Sequence, residues 1–145
     1  MAYDFQVAVD CANPHNLADW WAETLEWDVE KPDEDFIRLM VAQGHATEAE
    51  TSTHDGRLVW RTGAAIRHPE PYPSGNPRRV IFQQVPEPKT VKDRIHLDLF
   101  VGEERRDAVR DALVARGATF LHSGRQGPHA WHTLADIEGN EFCVS

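Results

Sequence analysis

The chain has 145 residues, 41% of them hydrophobic, with five Trp and six Phe, which suffices for one domain or for two small modules sharing a core. A net charge of −9 repels phosphates, so neither nucleic acid nor an anionic membrane surface is an expected partner. Two cysteines are too few for a disulfide scaffold, no run approaches the ~18 apolar residues of a membrane span, and the start Met1-Ala2-Tyr3-Asp4-Phe5-Gln6 lacks the basic and apolar regions of a signal peptide, so a cytoplasmic protein is expected.

Residues 5–11 alternate in strand fashion, with Val7, Val9 and Cys11 on one face and Gln6, Ala8 and Asp10 on the other. Asn13-Pro14 reads as an N-cap followed by proline at the first helical position, where its missing N–H costs nothing. Leu17, Trp21 and Leu25 then give an apolar stripe on a helix over 14–25. A strand is expected to begin at Trp27-Asp28-Val29, and another over Phe36–Val41 after a charged turn at 30–35. The polar stretch 43–55 reads as loop with a short helix near 46–50, and Leu58-Val59-Trp60 as a short strand. Four prolines within 68–77 mark irregular chain, and Arg79–Val85 a strand stopped by Pro86 and Pro88.

The second half opens on Arg94–Val101, which alternates as cleanly as the first strand. A helix over 103–116 follows, with Glu103 and Glu104 suiting its N-terminal dipole, Gly117 beyond its end, and a stripe of Val109, Ala112, Leu113 and Arg116. Strands are expected at 118–121, 131–135 and 141–144, with a loop at 123–128 and a tight turn at 136–140. The halves look like copies of one unit, module 1–88 and module 89–145 of a single domain: Gln6 falls on His96, Val9 on Leu99, and Phe82-Gln83 on Phe142-Cys143. The expected fold is α+β, two βαβββ modules forming a curved mixed sheet around a concave cleft, with the helices on the convex side.

Val9–Pro14, Phe82-Gln83 through Lys89, Arg94–Leu99 and Ala135–Val144 carry a resemblance to the vicinal oxygen chelate (VOC) superfamily, which includes glyoxalase I, extradiol dioxygenases and bleomycin-resistance proteins. More narrowly, the chain is similar to its glyoxalase-like actinobacterial subgroup. In metal-using members four ligands come from four strands, and those positions map onto Gln6, Gln83, His96 and Cys143. Gln83 and Cys143 stand where the glyoxalase pattern has Glu, so no metal is favoured, although a divalent ion (Zn, Ni, Mn or Fe) remains an alternative.

Strand parity directs Gln6, Ala8, Asp10, His96, Asp98, Glu141 and Cys143 into the cleft, with Gln83 joining them if Phe82 points at the core. His96 and Asp98, two apart on one strand, make a proton-transfer pair; the plainer reading has Asp98 paired with Arg94 or another basic residue and His96 merely lining the cleft. Trp21 is expected in the core. Trp20, Trp60 and Trp131 are candidates for the cleft rim or a subunit interface, against ordinary core packing. His129 and His132 flank Trp131; a functional role is one reading, surface histidines the plainer one. Expected ligand contacts are therefore Gln6, Asp10, Gln83, Trp60, Trp131 and Glu141. Two functions follow: a binder that holds a small organic molecule without chemistry, and a lyase, isomerase or oxygenase. A homodimer is expected, as superfamily members often complete their clefts in that way.

Overall fold

The computed structural model describes residues 1–145 and divides into two compact units, Met1–Pro88 and Lys89–Ser145. The α+β class is found, with a four-stranded mixed sheet in each unit.

The first unit runs β1 (Val7–Cys11), α1 (Pro14–Leu25), β2 (Asp28–Val29), α2 (Glu34–Ala42), a 3₁₀ turn (Glu48–Glu50), β3 (Thr51–His54), β4 (Arg57–Trp60), β5 (Gly63–Arg67) and β6 (Arg79–Gln84). Its main sheet has the order β1-β6-β5-β2, with β1 parallel to β6 and the other pairs antiparallel. The Asn13 side chain accepts from the Asn16 N–H and Pro14 opens α1, as the sequence indicated. Leu17, Ala18, Trp21 and Ala22 of α1 are buried, as are Ile66, Val80 and Phe82 of the sheet that α1 packs against.

Two assignments in this unit change. The strand expected over 36–41 is the helix α2: Asp33 caps it by accepting from the Phe36 N–H at 3.1 Å, and Glu34 and Asp35 occupy its first turn. Only Ile37 of this helix is fully buried, so a short apolar run imitated a strand. The polar stretch after it contains β3, paired with β4 in a separate hairpin. Asp55 and Gly56 turn that hairpin with φ of 48° and 74°, the doubly positive turn for which an Asp-Gly pair is suited. Strand β5, rich in Gly and Ala, was not expected at all.

The second unit runs β7 (Asp98–Leu99), α3 (Glu103–Ala115), β8 (Thr119–Gln126), β9 (His129–Ala135) and β10 (Glu141–Val144). Its order is β7-β10-β9-β8, with β7 parallel to β10 and the rest antiparallel. Setting aside the insertion α2–β4, the two units therefore share one βαβββ path and one strand order. Phe142, Leu134 and Val144 form the core of the second unit, each at 1% exposure or less.

The first strand of this unit is shorter than its alternation implied. Only Asp98 and Leu99 join the ladder, while Ile95 and Phe100 are 88% exposed. Residues 123–126, expected in a loop, extend β8, leaving the turn to Gly127-Pro128. In α3 Leu113 is buried and Ala112 exposed; Arg106, Val109 and Arg110 complete the half-buried face. The 136–140 turn forms as read: an Asp136 carboxylate oxygen accepts from the backbone N–H of Glu138 and of Asn140. No helix is long and apolar enough to cross a membrane.

Candidate functional site

Cross-strand pairing fixes which residues are equivalent. Asp10 stands opposite Gln83 in the first unit, and Asp98 opposite Cys143 in the second. If Gln83 matches Cys143, then Asp98 matches Asp10, and His96 matches Ala8 rather than Gln6. The shift of two residues preserves the strand face. Gln6 itself is exposed and precedes β1.

In the second unit the predicted residues gather around one concavity of about 410 Å³, lined by His96, Asp98, Trp131, Glu141 and Cys143, with Phe100, His122 and Thr133 among the others. Strand alternation produces this set: Thr133 faces Cys143 across β9 and β10, and their Oγ1 and Sγ atoms lie 3.4 Å apart. His96 Nδ1 is 3.2 Å from Asp98 Oδ1, so the pair expected from sequence is in hydrogen-bond contact. With Nδ1–H donating to the carboxylate, the imidazole keeps Nε2 as a base.

Glu141 has a different task. Its Oε1 is 3.0 Å from Lys89 Nζ, and its Oε2 accepts from the Asp93 N–H at 3.1 Å, tying the segment that leads to His96 onto β10. Burial raises its carboxyl pKa, but the Asp93 N–H and the Lys89 ammonium outweigh that and hold it at about 2. Burial and the neighbouring Glu141 push the Asp93 carboxyl up, against the lowering pull of Lys89. The Cys143 thiol is also pushed up, chiefly by burial.

One ligand atom each from His96, Asp98 and Cys143 lie within 4.8 Å of one another. Imidazole nitrogen, carboxylate oxygen and sulfur are donors that fit a borderline divalent ion such as zinc, and three protein ligands leave one position open. Cys143 would have to lose its proton to take part. Asp98, absent from the sequence-derived ligand set, enters this one, while Gln6 and Gln83 belong to the other unit.

In the first unit Trp60 and Gln83 line a second concavity of about 420 Å³, together with His15, Glu30 and Arg79. Glu30 holds Arg67 and Arg79 through its two carboxylate oxygens at 3.0 and 2.6 Å. Phe82 is 1% exposed, which turns Gln83 to the opposite face as parity required.

One aromatic and one histidine change place, and one aromatic gains a partner. Trp20 is buried at 6% exposure and meets Trp21 edge-on at 5.2 Å, so it belongs to the core and not to a rim. His132 is 7% exposed, held between Ser123 and Asp107, and is no surface residue. Trp131 is half-buried, and its indole covers Gly124, where an added Cβ would lie 2.4 Å from the ring. The cross-strand Gly–Trp pair was the available signal: an aromatic laid over a strand glycine.

The family model described as glyoxalase-like domain matches residues 6–145. The chain belongs to the glyoxalase-like domain family, within the VOC superfamily. Solved structures agree at the level of fold. The glyoxylase/bleomycin resistance protein/dioxygenase domain from Frankia sp. has a TM-score of 0.57 at 13% identity, covering 99% of this chain and 96% of its own. The bleomycin-binding protein from Streptomyces verticillus, complexed with copper(II)-bleomycin, scores 0.53 at 12% identity and covers 100% and 96%. A mutant of FosX, the fosfomycin resistance protein of Listeria monocytogenes, complexed with Mn(II) and 1S,2S-dihydroxypropylphosphonic acid, scores 0.63 at 6% identity and covers 99% and 91%. Comparison with curated proteins gave no match.

Proposed function

We propose that this glyoxalase-like protein binds a small organic molecule in the concavity of its second unit. The observation that carries the reading is the lining itself: about 410 Å³ walled on one side by the Trp131 and Phe100 rings and on the other by polar side chains, His96, Asp98, His122 and Thr133 among them. A ring or short apolar body would pack against Trp131, while His96, Asp98 and Thr133 orient its oxygen or nitrogen atoms. The fold has precedent for such cargo in the bleomycin-binding protein and for a metal with a small oxygenated ligand in FosX.

Titration with small aromatic and oxygenated compounds, followed by tryptophan fluorescence, tests this. Saturable quenching that Trp131→Ala abolishes, with the ligand recovered unchanged, is the expected result. A response that persists in that variant refutes the assigned pocket.

The 3.2 Å contact between His96 and Asp98 favours a second reading, an enzyme in which His96 takes a proton from bound substrate and Asp98 steadies the imidazolium. Alternatively, a zinc-type ion held by His96, Asp98 and Cys143 would supply Lewis acidity in place of that proton transfer, because an imidazole that ligates a metal is no longer a base. Stoichiometric metal lost on His96→Ala, with product formed from a bound compound, supports this reading over the binder.

We also propose a homodimer. Val91, Ile95 and Phe100 are 77–88% exposed, large apolar side chains that a second copy would cover. Sedimentation at the 16.5 kDa of one chain refutes it.

A further inference from the structure

His132 sits on the α3-facing side of β9, behind the strand face that carries Thr133. Its Nε2 lies 2.6 Å from Asp107 Oδ1, and its Nδ1 lies 2.8 Å from Ser123 Oγ. Nε2 also has the Arg110 guanidinium at 3.2 Å, but the Asp107 carboxylate is the nearer partner and only accepts, so Nε2 carries the proton and donates to Asp107. Nδ1 is then the acceptor, and the Ser123 hydroxyl donates to it. Arg110 Nη1 stands 3.5 Å from the same Asp107 oxygen, and the Asp107 carboxyl is held below the usual range, chiefly by the bond to His132. Phe120 covers the imidazole edge-on at 5.7 Å. A hydroxyl bonded to an imidazole that a carboxylate orients in turn is the arrangement that activates a serine.

The relay opens into a cavity. About 340 Å³ is bounded by Ser123, His132, Arg106 and Arg125, with Trp131 forming part of the wall. Arg106 donates through Nη1 to the Ala130 carbonyl at 3.1 Å, while its Nε is buried without a partner, and a buried unpaired donor calls for an acceptor.

We propose that Ser123 is an acyl-accepting nucleophile, and that the cavity takes small carboxylic esters whose acyl part bears an anionic group. Ser123 Oγ attacks the ester carbonyl carbon as its proton passes to His132 Nδ1, and the carbonyl electron pair moves onto oxygen. Reforming the carbonyl breaks the bond to the alcohol oxygen, which leaves with the proton from Nδ1. Water then adds to the acyl-serine, giving its proton to Nδ1; the acid departs and the proton returns to Ser123 Oγ. Arg125 holds the anionic end, and Arg106 faces the charge that develops on the carbonyl oxygen. The site shares only the Trp131 indole with the ligand-binding concavity proposed above, and none of its reacting groups.

The test uses the full chain with 4-nitrophenyl hydrogen succinate, and 4-nitrophenyl acetate as its uncharged counterpart. Expected are a burst of nitrophenolate, a succinyl adduct located on Ser123 by mass spectrometry, and loss of both in S123A. In D107N, a change at a side chain that is 71% exposed, the burst rate should fall about 100-fold while the melting temperature holds. R125Q should raise KM for the charged ester only. Absence of any adduct, an adduct on another residue, or an unchanged burst in S123A overturns the proposal.

Discussion

Glu141→Gln isolates the tie between β10 and the segment that leads to His96. The substitution keeps the shape and an acceptor for the Asp93 N–H, but removes the charge that meets Lys89 at 3.0 Å. A carboxyl held at about 2, against 4.5 when free, corresponds to about 3 kcal/mol if the whole difference were realised. Lys89 and Glu141 are 20% and 15% exposed, so solvent screens part of it, and the retained Asp93 contact accounts for more. The expected loss at pH 7 is therefore about 1–2 kcal/mol. Since the folded pKa is depressed, this stability is fully present above about pH 4.5 and disappears as pH falls through about 2. Asp93, whose folded pKa is raised by burial and partly by Glu141, works in the opposite sense; the variant relieves the Glu141 part, which narrows the gap at pH 7 further toward the lower end of the range. Urea unfolding of wild type and variant at pH 7, 4 and 3 should give curves that converge as the pH drops. A gap independent of pH, or none at pH 7, would refute the ion-pair account.

Other outcomes follow from packing. Gly124→Ala drives a methyl into the indole of Trp131, so we expect a cost of about 1–3 kcal/mol in urea unfolding, a changed near-UV spectrum and weaker ligand response. Phe82→Ala and Phe142→Ala, each emptying a site that is 1% exposed, should cost about 3–5 kcal/mol in the same measurement. Asp136→Ala removes the acceptor that the Glu138 and Asn140 N–H groups share in a half-buried turn and should cost about 1–2 kcal/mol; equal stability would mean the turn is held by its backbone alone.

The sequence made some of this legible and hid the rest for identifiable reasons. Asn13-Pro14 announced α1, and the Phe142/Cys143 alternation announced β10, because capping and parity are local. Helix α2 was misread since six residues with five apolar side chains around Arg38 satisfy either period, although Asp33-Glu34-Asp35 before it was a start signal. Strand β4 was read at Leu58-Val59-Trp60, but its partner β3 was overlooked because Thr51–His54 is polar, although Asp55-Gly56 signalled the hairpin. His96 with Asp98 was readable from spacing on one strand. His132 with Ser123 and Asp107 was not: those residues come from β9, β8 and α3, and only the pairing of Ser123 opposite His132 brings them together. Glu141 as a tie for the Asp93 segment likewise depends on tertiary placement.

The parallel pairs β1–β6 and β7–β10 set the first and last strands of each unit side by side. A unit closed in this way can accept extra chain in its middle connections, because the entropy of closing a loop grows only with the logarithm of its length, about 0.6 kcal/mol per doubling. The first unit has used that freedom: between β2 and β5 it carries α2 and the β3–β4 hairpin, whose last residue, Trp60, lines a concavity. In relatives, that connection is where length and composition can change what the first unit recognises while the β1–β6 ladder stays in register.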